Sequence, residues 1–360
     1  VGRHLYALVR RRDFLRTAAL AASTMSLARA KSDDPTRRRL LILGGTGFLG
    51  RNLVEEAHAR GHQVTLLHLH EEKSALVSGV TQILADRDKS LPSSLSGRDF
   101  DLVIDTSGQK PAWVEESSAR LKDCQRYLFV STISVYDHSR QPLSEDSPLA
   151  PTEGIKVDSL EPGNYAARKI LCEQALQKAL GNRSLIFRPC VIAGPYDQTD
   201  RFTYWADRMR RPGPVLAPVS PQETVQWIDA RDLCAFMLDA LEADLEGVYN
   251  VAGDSTGFGS FLGSFHSDSN PVWVSGDFLE KAGVRPWQDL PLWVPGDSDN
   301  AGFSRVINRK AREAGLRLRA ATQTATATLA WRDLDKTPLK AGLSPQKEAE
   351  LLKAWALSSP

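Results

Sequence analysis

The segment Leu40-Leu41-Ile42-Leu43-Gly44-Gly45-Thr46-Gly47-Phe48-Leu49-Gly50 constrains the fold more than any other part of the chain. Four consecutive apolar residues read as a strand covered on both faces, as in a parallel sheet. Glycines follow at Gly44, Gly47 and Gly50. From Arg51 to Arg60 the pattern is amphipathic, with Leu53, Val54 and Ala57 on one helical face, and Gly61 ends it. Gln63-Val64-Thr65-Leu66-Leu67 is the next strand. Strand, glycine turn, helix and strand make a βαβ unit, which predicts an α/β Rossmann fold with a doubly wound parallel sheet.

The glycines serve chemistry as well as shape. Gly44 permits a tight turn, Gly47 lets backbone amides approach a pyrophosphate, and Gly50 lets the helix pack closely on the strand. The helix N-terminus adds free N–H groups and a partial positive charge. Gly44, Thr46, Gly47, Phe48, Leu49 and Gly50 are therefore candidate cofactor-binding residues. Thr81–Leu84, Asp101–Asp105, Arg126–Ser131 and Ser184 onward read as the third to sixth strands. The small residues Thr106, Ser107 and Gly108 would pass beneath a cofactor ribose.

Downstream, Asn164-Tyr165-Ala166-Ala167-Arg168-Lys169 opens a helix running to about Leu180. Tyr165 and Lys169 are spaced i, i+4 and share a helix face. A lysine ammonium beside a phenol favours the phenolate, so the tyrosine can exchange a proton with a substrate hydroxyl near neutral pH. Hydroxyls at the tip of the fifth strand, Ser131, Thr132 and Ser134, can polarise the same oxygen.

With its G-x-x-G-x-x-G turn, hydroxyl-tipped strand and Y-x-x-x-K helix, the chain resembles the extended, epimerase/dehydratase-like branch of the short-chain dehydrogenase/reductase superfamily. The resemblance runs from about Arg39 to about Trp331. It implies an NAD(P)-dependent enzyme, and it places the catalytic hydroxyl four residues before the Tyr of a V-Y pair. Val135-Tyr136 is that pair, so Thr132, Tyr165 and Lys169 are the expected catalytic set. It assigns Asp86 to the adenine edge, with Arg87 beside it. Pro189 and Val191, in R-P-x-x-I-x-G-P, are assigned to the segment over the nicotinamide. Ser134, Tyr136, Arg201 and Trp205 are the expected substrate contacts. Asp232 is expected to cap a helix. The dehydratases of the branch carry Asp-Glu after the catalytic Thr; here Ile133-Ser134 stands there, which counts against that mechanism.

The residue that reads the adenosine ribose normally ends the second strand, an acid for NAD and a base near it for NADP. The segment here is Leu67-His68-Leu69-His70-Glu71. His68 could approach a phosphate and Glu71 a ribose, so NAD and NADP both stay open, with the balance toward NAD.

Residues 39–188 are read as the dinucleotide-binding domain. Residues 189–332 mix the remaining Rossmann elements with a small C-terminal α+β substrate lobe. Ser304–Leu316 is expected to be helical, as is Thr322–Trp331, and 333–360 reads as a polar helical tail. At the other end, Arg10-Arg11-Arg12-Asp13-Phe14-Leu15-Arg16, an apolar run to Leu27 and Ala28-Arg29-Ala30 have the layout of an export signal. It resembles the twin-arginine type, with Arg10 where Ser or Thr is usual. Residues 1–30 would then be an export signal to the periplasm and 31–38 a linker; the alternative is a basic N-terminal helix on a cytoplasmic enzyme. The apolar run is too short for a stable membrane anchor.

A formal net charge of +1 gives no basic stripe, which argues against a nucleic-acid partner. Cys124, Cys172, Cys190 and Cys234 lack C-x-x-C spacing and sit among apolar residues, so no metal is expected; disulfides stay open for an exported chain. The expected partner is a small, sugar-like molecule, and a homodimer is left open. Two enzyme readings compete: a redox-neutral epimerase type that returns the hydride to its substrate, and a net reductase or dehydrogenase of a small carbonyl compound. Export favours the first, because a folded protein can carry its cofactor with it. A non-catalytic dinucleotide-binding protein on the same fold is the third reading.

Overall fold

The computed structural model describes residues 37–69, 78–95 and 98–358. The export signal, most of the linker, and His70 and Glu71 lie outside them. Among the described residues no helix is long and apolar enough to cross a membrane.

Six strands, β1 (Arg39–Leu43), β2 (Gln63–His68), β3 (Thr81–Leu84), β4 (Leu102–Asp105), β5 (Arg126–Val130) and β6 (Ser184–Pro189), join a later one, β7 (Gly247–Val251). They form one sheet in the order β3-β2-β1-β4-β5-β6-β7, parallel throughout. The winding reverses between β1 and β4, which opens a crevice at the carboxyl ends of the strands.

The helices are α1 (Phe48–Ala59), α2 (Pro111–Arg120), α3 (Tyr165–Leu180), α4 (Arg201–Met209) and α5 (Ala230–Glu242). They explain why β1 is apolar at every step. Leu40 and Ile42 pack with Leu53, Val54 and Ala57 of α1 and Leu233 and Met237 of α5. Leu41 and Leu43 pack with Val114 of α2 and Cys172 and Leu176 of α3. All four cysteines are buried and unpaired.

A second core belongs to the lobe. Phe202 and Trp205 of α4 meet Phe258, Phe261 and Trp293 there. A parallel pair, Gly213–Pro218 with Ser269–Val274, frames it. Helices Ala321–Leu334 and Pro345–Ser358 are the last two among the described residues. The last one is not a purely polar tail. Its Leu351 is 3% exposed, and its Glu348 is buried against Arg208 of α4, Nε to Oε2 at 2.6 Å. Glu348 Oε1 also accepts from Leu216 N at 3.1 Å.

Two local expectations fail. The helix expected over Ser304–Leu316 shrinks to Arg309–Glu313. Val306 instead forms a parallel β-bridge with Leu143: its amide donates to Gln226 Oε1 and the Ile307 amide to Leu143 O, both at 2.8 Å, so this stretch is extended. The cap of α5 is Asp229, which accepts from Arg231 N, and not Asp232, which accepts from the Arg319 amide at 2.8 Å and from Arg319 Nε at 2.6 Å.

Removing one partner of the buried Arg208–Glu348 pair strands a charge. Glu348→Ala is expected to cost about 3–5 kcal/mol in urea unfolding. Leu357→Ala, nine residues on and 80% exposed, should stay within about 0.5 kcal/mol.

Candidate active site

Two turns meet where the winding reverses. Gly44 has φ +95°, and a Cβ there would lie 2.6 Å from Ser107 Cβ. Thr106 Oγ1 lies 3.1 Å from both the Leu43 and Gly44 carbonyls, closing the same contact. A Cβ on Gly50 would fall 2.5 Å from the backbone of Gly45, so α1 rises directly off the turn. Gly47 differs: its Cβ would meet nothing within 4 Å. It is the N-cap of α1, with no side-chain cap bond and no acid in the first turn. Thr46, Phe48 and Leu49 around it are half-buried. An open cradle at a helix N-terminus without a side-chain acceptor fits a pyrophosphate.

The floor of the crevice is a buried charge cluster. Asp105, at the tip of β4, has no exposed surface. Arg87 Nη1 donates to its Oδ1 at 2.8 Å and its Oδ2 at 2.9 Å. Tyr127 Oη donates to Oδ2 at 3.0 Å, and Ser107 N to Oδ1 at 2.9 Å. Burial alone would raise the carboxyl; the Arg87 charge and hydrogen bonds outweigh it and hold Asp105 below the usual range. Arg87, expected among the cofactor contacts, is held in this cluster. Its guanidinium is engaged by Asp105, by Ser107 Oγ at 3.0 Å and by Trp113 O at 2.8 Å. Asp86, half-buried beside it, accepts from Asp88 N at 3.0 Å as a turn residue does. His68 is 3% exposed at the end of β2.

Across the crevice, α3 begins at Tyr165. Lys169, one turn on, is 2% exposed; its Nζ donates to Gly108 O at 3.0 Å and to Val130 O at 2.6 Å. Burial pulls the ammonium down to about 8. The Tyr165 phenol lies above its ordinary value, because burial outweighs a hydrogen bond to Thr132 and the nearby charge of Arg168. The expectation that Lys169 lowers the Tyr165 pKa is thus corrected: the ammonium is engaged by two carbonyls. Thr132 Oγ1 accepts from Ser134 N at 3.2 Å, with Ser134 Oγ also at 3.2 Å. Ser131 Oγ, buried at the tip of β5, has no hydrogen-bond partner among the described residues.

The expected substrate contacts separate. Arg201 is half-buried, with its guanidinium 5.0 Å from the ring centroid of Trp287. Trp287, 37% exposed at φ +68°, escaped the sequence reading because no motif surrounds it. Trp205 is fully buried, and its Nε1 donates to Pro291 O at 2.6 Å, so it belongs to the lobe core. Tyr136, 2% exposed, donates to Asn250 Oδ1 at 2.6 Å and accepts from Arg188 Nη1 at 3.1 Å; a phenol buried this way ties strands together. Pro189 ends β6, and half-buried Val191 gives its carbonyl to Ile228 N at 2.8 Å.

A doubly wound parallel sheet with a glycine turn at its switch point defines a Rossmann-type α/β protein. Residues 40–252 match the model of the NAD dependent epimerase/dehydratase family, and the chain belongs to that family. Its similarities are distant. It is 26% identical over 236 residues to the chloroplast stem-loop binding protein of 41 kDa b of Arabidopsis thaliana, covering 61% of this chain and 60% of that protein. It is 27% identical over 184 residues to the 2-alkyl-3-oxoalkanoate reductase of Stenotrophomonas maltophilia (strain K279a), covering 44% of this chain and 52% of that one. The matches thus span between half and three fifths of these curated relatives. Among solved structures, the Bordetella bronchiseptica enzyme WbmG in complex with NAD and UDP superposes with a TM-score of 0.60 at 17% identity, over 84% of this chain and 96% of that one. UDP-glucuronic acid 4-epimerase from Bacillus cereus in complex with NAD gives 0.58 at 16% identity, over 83% and 100%.

The glycines predict a contrast. Gly47→Ala should leave the melting temperature near the parent's and weaken dinucleotide binding at least tenfold, read by titration calorimetry. Gly50→Ala, which drives a methyl into backbone, should unfold several degrees lower as well.

Proposed function

We propose that this chain is an NAD-dependent enzyme that oxidises a hydroxyl of a sugar-like substrate and reduces the product again, as an epimerase does. The observation that carries this reading is Tyr165, hydrogen-bonded to Thr132 and one helical turn from buried Lys169, across the crevice from the open cradle at Gly47. The family's name and neighbours crystallised with NAD support the choice of cofactor. The uncapped turn at Gly47 would hold the pyrophosphate, Thr106 and Ser107 would lie under a ribose, and Pro189 and Val191 would flank the nicotinamide. When bound, the cofactor supplies an acceptor and donor of hydride. Tyr165 takes the hydroxyl proton as the carbonyl forms and gives it back as the carbonyl is reduced. Thr132 hydrogen-bonds the same oxygen, with Ser134 holding its hydroxyl. Lys169 lies one helical turn along; turned from the two carbonyls that engage it here, its charge would favour the phenolate when Tyr165 must act as base. Arg201, on the face of Trp287, offers a cation to the remote part of the substrate. Export, if residues 1–30 direct it, suits an enzyme that keeps one cofactor through many turnovers.

Net reduction of a carbonyl is the second reading. The raised pKa of Tyr165 favours it, because the phenol stays protonated at pH 7, the state from which a carbonyl is reduced, whereas oxidation of a hydroxyl starts from the phenolate. The first test is to purify the chain without added cofactor, denature it, and identify released nucleotide by mass. Stoichiometric NAD supports the epimerase reading; an empty site that binds added dinucleotide weakly favours the reductase; no binding of either dinucleotide overturns both.

Tyr165→Phe is expected to lower turnover at least a thousandfold with dinucleotide affinity within about threefold of the parent. An unchanged rate removes Tyr165 as the acid/base. Lys169 loses its proton as pH rises through about 8. If its charge supports Tyr165, kcat should fall on the alkaline side with a midpoint near that value, and a profile flat to pH 9.5 contradicts the role.

A further inference from the structure

Neither Asp105 nor Arg87 has a part in the chemistry proposed above, yet both are buried, and a buried carboxylate is costly unless it is paired and hydrogen-bonded, as Asp105 is. They are 18 residues apart in sequence, one at the tip of β4 and one in the turn after β3. What lies between them and the proposed active site is the turn Thr106–Gly108. Ser107 is gripped at two points, its amide by Asp105 and its hydroxyl by Arg87. Gly108 has Asp105 on one side, since a Cβ there would lie 3.1 Å from Asp105 Oδ2 and 2.6 Å from the Phe129 ring. On the other side, its carbonyl accepts from Lys169 Nζ at 3.0 Å. The carboxylate, the glycine and the lysine thus form one continuous stack.

We infer that Asp105, balanced by Arg87, is a positioning residue that fixes the Thr106–Gly108 turn and, through it, the place and the proton of Lys169. The inference rests on reading Lys169 as the partner of Tyr165. Arg87 and Asp105 act on Lys169 with opposite sign: the carboxylate favours the ammonium and the guanidinium opposes it. The other groups that face the ammonium are Cys172 and Glu173 from its own helix, both of which favour the charged form. Burial opposes it more than any of them. A Lys169 with no carboxylate beneath it would give up its proton nearer neutrality and could no longer support a phenolate. Because Arg87 and Asp105 have opposite charges, the pair can anchor the turn rigidly and still leave Lys169 near its working range.

The test is the titration of Lys169 in the full chain without cofactor, by NMR of side-chain-labelled lysine with Lys169→Arg for assignment. Asp105→Asn should move the midpoint down by about one pH unit and Arg87→Met should move it up by a similar amount. A merely structural pair predicts that both variants loosen the site alike and shift Lys169 in the same direction. Shifts of the same sign, or no shift in folded variants, overturn the inference. If the single variants do not fold, the double variant Arg87→Met/Asp105→Asn, which strands no charge, is read instead. A midpoint within half a unit of the parent's supports opposing contributions; a displacement above one unit overturns them. This readout needs neither cofactor nor turnover. Failure of the Tyr165→Phe experiment and failure of this one are therefore separate results.

Discussion

Backbone lies against backbone where α1 leaves the sheet, and the crevice depends on that contact. With a side chain at Gly50 the helix would stand away from the turn, and its first amides would point elsewhere. The second contact, Gly44 on Ser107, joins the β1 turn to the β4 turn. Hydrophobic burial brings strands and helices together, but it is non-directional. Close approach of glycines supplies the direction, because only one docking angle lets two main chains come so near.

Buried ion pairs then hold what burial cannot orient. Arg87 holds Asp105 beneath the crevice. Arg188 meets Glu173 through two hydrogen bonds, at 3.0 and 2.6 Å, behind α3. Arg208 meets Glu348 in the lobe. They join elements 18, 15 and 140 residues apart, and each uses arginine, whose fork matches a carboxylate. Pairs of this kind add little net stability against an apolar alternative, but losing one partner is expensive. They act as constraints on geometry.

What was legible in the sequence was local. The run Leu40–Leu43, the glycine spacing and the i, i+4 relation of Tyr165 to Lys169 need only neighbouring residues, and the parallel sheet follows from them. Sense of environment was not legible. The spacing puts Tyr165 and Lys169 on one face, but the carbonyls of Gly108 and Val130 that engage the ammonium come from the turn after β4 and from β5. Arg87 read as a cofactor contact because nothing in Ala85-Asp86-Arg87-Asp88 announces Asp105. Tyr136 and Trp205 read as pocket walls because a polar tip on an aromatic ring suits a pocket and a core equally well. Their partners, Asn250 and Pro291, lie 114 and 86 residues away. Trp287 carried no signal at all, since its importance comes from Arg201 beside it.

The burial of Glu348 bears on how the chain is made. Domains fold as units while synthesis proceeds from the N-terminus. The last strand of the sheet, β7, ends at Val251, so the sheet can close before Glu348 is made. Arg208 has no carboxylate to bury against until residue 348 has left the ribosome. The nucleotide side can thus be ready before the lobe beside it is locked. A chain stalled in that interval would hold a closed sheet beside a lobe whose buried arginine is still without its carboxylate.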